Sequence, residues 1–75
     1  MKEIAPGIVI DPKIRFGKPV IKRTRVPVDL IVGKIAGGMT TEEIMHEYGL
    51  RKADVMAALR YAAQVLKEEN LMYVP

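Results

Sequence analysis

Seventy-five residues, a net charge of +3 and no cysteine restrict this chain to one small domain without disulfides or thiolate metal sites. Its 49% hydrophobic and 28% charged residues exclude a disordered composition. No apolar run reaches the roughly 18 residues of a membrane span, and the opening MKEIAPG lacks a secretory layout. A cytoplasmic protein without a membrane partner is therefore expected. A domain this size buries only about 60% of its unfolded surface, so further burial in a homodimer is expected as well.

Residues 1–27 read as a β arm. Gly7-Ile8-Val9-Ile10 is a β-rich run stopped by Asp11-Pro12. Ile14 and Phe16 alternate with Arg15, which predicts a half-buried extended segment. Gly17-Lys18-Pro19 turns the chain into Val20-Ile21. Such strands are too short to stand as a free hairpin and need a body or a second subunit to pack on.

From Val28 the periodicity becomes helical. A first helix carries Leu30, Ile31 and Ile35 on one face, starts after Pro27 and ends at Gly37-Gly38. Thr40 to Glu43 form a capping box for a second helix, whose apolar face is Ile44, Met45 and Tyr48 and which Gly49 closes. A third helix over about 52–69 presents Val55, Leu59, Ala62 and Leu66, with Ala58 and Ala63 permitting close approach. An apolar tail follows, Leu71-Met72-Tyr73-Val74-Pro75. The whole reads as mainly α, one structural domain made of the arm 1–27 and a three-helix unit 28–75.

Two helices around one tight glycine turn, over residues 41–60, match the helix-turn-helix pattern, with Gly49 supplying positive φ. In a DNA reader the third helix enters the major groove. Its exposed positions are expected to be Arg51, Lys52, Ala53, Met56, Ala57 and Arg60. Arg51, Lys52 and Arg60 suit phosphate or guanine edges, and Met56 suits a thymine methyl.

Charge placement bears on the same question. Residues 1–27 hold seven basic and two acidic side chains, a net +5; residues 28–75 hold five and seven, a net −2. A basic arm on a slightly acidic body points to an anionic partner, double-stranded DNA first. Lys22, Arg23 and Arg25 stand where an arm would lie along the backbone. The alternative is that Arg23 and Arg25 make structural ion pairs with Asp29 or Glu47.

The run Gly17-Lys18-Pro19-Val20-Ile21-Lys22-Arg23-Thr24-Arg25-Val26-Pro27-Val28 resembles the signature of domain-of-unknown-function family 433. Ala36 to Ile44, Tyr48-Gly49-Leu50, Asp54-Val55 and Ala57 to Ala62 extend the resemblance over about residues 7–63. It implies a three-helix homeodomain-like helix-turn-helix bundle with an N-terminal β arm. It also implies an antitoxin that neutralises a PIN-like ribonuclease toxin. Two positions depart from the pattern. Arg23 replaces a usual glycine, and Arg51-Lys52 stand where a threonine N-cap is common, an arrangement that suits an anion at the helix start.

Two functions of different class emerge. One is a dimeric DNA-binding antitoxin or regulator. The other is a protein-interaction module that blocks a cognate toxin without DNA, with Leu71, Met72, Tyr73 and Val74 as partner contacts. An enzyme is not expected: the lone His46 has no cysteine or second histidine beside it, and Gly37-Gly38 lacks the lysine of a P-loop. No catalytic residue, metal or cofactor is assigned. The scarcity of amides, with only Gln64 and Asn70 present, leans toward a thermophilic source. The dimer interface is left between the N-terminal strands and an Ala58, Ala62 and Leu66 stripe.

Overall fold

The computed structural model describes residues 1–69. Three strands, β1 (Lys2–Ala5), β2 (Ile8–Ile10) and β3 (Val20–Ile21), precede three helices, α1 (Val28–Ala36), α2 (Thr41–Tyr48) and α3 (Lys52–Glu68). The strands form one antiparallel sheet in the order β1-β2-β3. They therefore find their partners within a single chain. Ile8 pairs with Ile21 and Val9 with Val20, while a bulge at Ile4 shifts the β1 register. By strand alternation Ile8 and Ile21 face the helices, where they join Val28, Ile31, Ile44, Leu50, Val55 and Ala58 in the core. Each fully buried isoleucine there stabilises the fold by about 2–3 kcal/mol.

Local chemistry explains the helix limits. The Thr40 hydroxyl accepts from the Glu43 amide at 3.1 Å, and the Glu43 carboxylate accepts from the Thr40 amide at 3.0 Å. That reciprocal pair also holds the Glu43 carboxyl below the usual carboxylate range. Gly49, at φ 65°, ends α2. The turn it makes delivers Leu50 into the core and starts α3, as the helix-turn-helix spacing predicts.

The arm departs from expectation around Phe16. Residues 15–17 do not form an extended segment; they wind into a single tight turn, with Arg15, Phe16 and Gly17 at φ 51°, 57° and 81°. Amide-to-carbonyl bonds from Ile14 to Asp11, Gly17 to Ile14 and Lys18 to Arg15 close it. Alternation over three residues is too short to outweigh the turn residues on both sides. Phe16 is consequently fully exposed.

The segment after β3 is built more tightly. Ile21 receives the Thr24 amide and hydroxyl at 3.0 and 2.7 Å, and the Val26 amide donates to the Thr24 hydroxyl. Pro27 is buried, bridges to Val20 and caps α1. Thr24 and Pro27 thus hold the arm to the body, leaving Arg25 on the outside.

Candidate nucleic-acid interface

The outward face of α3 follows from its inward one. Val55 and Ala58 are fully buried and Ala57 nearly so. Lys52, Ala53, Met56, Arg60, Ala63 and Lys67 are exposed on the opposite side, while the exposed Gln64, Val65, Leu66 and Glu68 lie to either flank of that stripe. Spacings of three and four residues put the stripe on one face. It bears three cations and no acid. Lys67 was not singled out from the sequence, although the i+7 step from Arg60 would have found it. Ala57 corrects the expected reading surface: it packs under the β1–β2 turn, where a Cβ on Gly7 would meet its own at 3.1 Å.

Arg51 plays a different part. Its amide donates to the Asp54 carboxylate at 3.0 Å, and its guanidinium donates to the same group at 3.2 and 2.8 Å. These bonds hold the Asp54 carboxyl below the usual range and raise the Arg51 guanidinium. A carboxylate of the chain already occupies the start of α3, so the anion expected there has lost that position. The Arg51 side chain is nonetheless 69% exposed.

In the arm, Lys22 pairs with Glu3 at 2.9 Å, and Lys18 pairs with Asp29 at 2.9 Å. Both ion pairs lower the pKa of the acid involved. Asp29 is therefore taken, and among the described residues neither Arg23 nor Arg25 forms an ion pair with an acid. Arg23 lies near enough to Asp54 and Glu3 to lower both carboxyls. The Arg25 carbonyl accepts from the Nε of Arg15 at 3.2 Å. Within the arm, Arg23 thus stands near the start of α3 and Arg25 holds the Phe16 turn. Leu71, Met72, Tyr73 and Val74 lie outside the described residues.

Among the described residues no His, Cys, Asp and Glu group is arranged to hold a metal, and no helix is long and apolar enough to cross a membrane. A second surface is apolar. Between α1 and α3 runs a groove of about 580 Å³, lined among others by Val32, Tyr61, Ala62, Val65 and Leu66.

A crystal structure of a DUF433 member from Anabaena variabilis resembles this fold with a TM-score of 0.75 and 32% identity. The match covers 83% of this chain and 62% of that one. Rv2018 from Mycobacterium tuberculosis matches with a TM-score of 0.63 and 29% identity, over 69% of this chain and 24% of that one. This chain therefore spans less than two thirds of either protein. No curated protein matches it. The model of the protein family of unknown function DUF433 matches residues 8–62, the whole sheet-to-α3 framework except β1 and the end of α3, and the chain belongs to that family.

Proposed function

We propose that this protein is a dimeric helix-turn-helix DNA-binding protein with α3 in the major groove, serving as the autoregulating antitoxin of a ribonuclease toxin. The observation that carries the DNA reading is the acid-free outward face of α3, with Lys52, Arg60 and Lys67 around the exposed Met56. Such a face sets cations against phosphates and leaves an apolar contact for a base methyl. The unpaired Arg23 and Arg25 extend it toward the neighbouring backbone. The antitoxin role rests on resemblance of the motifs alone, and the DNA reading does not depend on it.

The test is fluorescence anisotropy with the DNA upstream of the protein's own coding sequence, against an unrelated duplex, over a salt series. Selective binding is expected, with affinity falling on a log–log slope of about −0.9 for each phosphate neutralised. Lys52→Glu with Arg60→Glu should lower affinity at least a hundredfold and make the slope shallower, while the circular dichroism spectrum stays unchanged. Unaltered binding by that double variant would remove α3 as the reader. Arg51 is a poorer choice for charge reversal, because its change would also disturb the start of α3.

A second reading, a protein-only inhibitor, is favoured by the apolar groove between α1 and α3. Toxin inhibition by an unmodified chain that raises the anisotropy of neither duplex would support it.

A further inference from the structure

Phe16 is the most exposed large apolar side chain among the described residues, at 102% relative exposure. Its backbone lies at φ 57°, ψ 33°, and its neighbour Arg15 lies at φ 51°. Two successive residues with side chains in this region are uncommon, and strain of this kind concentrates at binding sites. The turn is held in place nonetheless. Three backbone bonds close it, the Lys13 amide is held by the Asp11 carboxylate at 2.9 Å, and Arg15 Nε is tied to the Arg25 carbonyl. A rigid mount thus presents an uncovered aromatic ring to solvent. Lys13, Arg15 and Arg25 line the same hollow as Phe16, together with Pro12 and no acid.

An aromatic ring among unpaired cations matches the chemistry of a nucleic acid, which offers a base face flanked by phosphates. A single ring with no apolar companion is too little surface for a membrane anchor, which needs a whole apolar face. Arg25, whose carbonyl holds this turn through Arg15, is two residues from Arg23 beside the start of α3, which places the turn within reach of a duplex bound there. We infer that Phe16 is a wedge residue that stacks on or enters a base step of the DNA beside the α3 footprint, with Lys13, Arg15 and Arg25 holding the flanking phosphates. The inference rests on the DNA-binding reading above. Apolar side chains inserted at base steps in this way are a known device of proteins that approach through the minor groove.

The chain contains no tryptophan, so Phe16→Trp provides a single reporter at this position. The variant is titrated with a fluorescein-labelled mixed-sequence 24-base-pair duplex at low salt, following dye anisotropy and tryptophan emission together. Anisotropy should rise, and the tryptophan should be quenched and shielded from iodide over the same concentration range. Phe16→Ala should weaken binding roughly tenfold without changing the salt slope, because a stacking contact releases no counterions. A rise in anisotropy with unchanged tryptophan emission and unchanged Phe16→Ala affinity would overturn the wedge and leave α3 as reader. No rise in anisotropy for the unmodified chain would overturn both readings. A tryptophan blue shift on vesicles with anionic headgroups, with no response to the duplex, would assign the turn to a lipid surface and overturn the wedge.

Discussion

Arg23 illustrates what a single residue contributes when a motif position is filled by an unusual side chain. It sits at φ 66°, inside the loop that the Ile21 carbonyl and the Thr24 hydroxyl close. Glycine takes this conformation freely, whereas a residue with a Cβ is strained there by about 1–2 kcal/mol. The turn is therefore the one a glycine would make, kept in spite of the arginine. Arg23→Gly should raise stability by about 0.5–1 kcal/mol, once the greater chain entropy of glycine in the unfolded state is subtracted. Thermal melting checks this, and a lower melting temperature would mean that the Arg23 side chain contributes more through its surroundings than its backbone loses. The same variant should weaken DNA binding if the strain is retained for the sake of the charge.

At the scale of elements, α3 depends on the carboxylate at its start. Asp54 accepts the Arg51 amide, and Arg51 in turn depresses its pKa. A carboxyl depressed in the folded state contributes stability that is complete above its unfolded value and is lost as pH falls through the folded one. Melting temperature should therefore stay level from neutral pH down to about 5 and drop as pH passes below about 4. Asp29, Glu3 and Glu43 are depressed as well and share in that decline. Asp54→Ala should lower stability by about 1 kcal/mol at pH 7, through the lost cap. It should also make the acid limb shallower; an acid limb identical to that of the unmodified chain would show that Asp54 is not depressed.

The helices were legible because each carries its own signals, Pro27 and Thr40 at starts, Gly38 and Gly49 at ends, and apolar residues at helical spacing between them. The strand β1 was not, since Lys2-Glu3-Ile4-Ala5 has little β character and owes its place to pairing with β2 through a bulge. The Phe16 turn escaped for a related reason: its conformation is fixed by Asp11 and Arg25, whose contacts a short alternating pattern does not reveal. For the candidate interface, residue type and spacing identified Lys52, Met56 and Arg60. Which cations were already paired, Lys22 with Glu3 and Arg51 with Asp54, depended on folding.

At the scale of the whole molecule, the exposed apolar surface bears on where a second copy would sit in the proposed dimer. The sheet satisfies its strands in one chain, which removes the main reason for exchanging strands between subunits. Ala58 is fully buried in its own core and leaves the proposed pairing stripe. What remains is the groove beside α3, where Val65 and Leu66 are 37% and 65% exposed. Its rim carries both signs, Lys18 and Asp29, which pair with each other at 2.9 Å. A surface of mixed sign can meet its own copy about a two-fold axis without facing like charge everywhere. A small core gains most from covering such a face. Analytical ultracentrifugation should therefore find a dimer, and Leu66→Lys should convert it to a monomer without unfolding it, because Leu66 is not part of the core. Two reading helices acting together bind a symmetric site far more tightly than one, so the monomeric variant should lose selective DNA binding at least tenfold while keeping the weak salt-sensitive binding of a single α3. A Leu66→Lys protein that remains dimeric would place the interface elsewhere, and one that is monomeric with undiminished selectivity would show that a single copy reads the DNA alone.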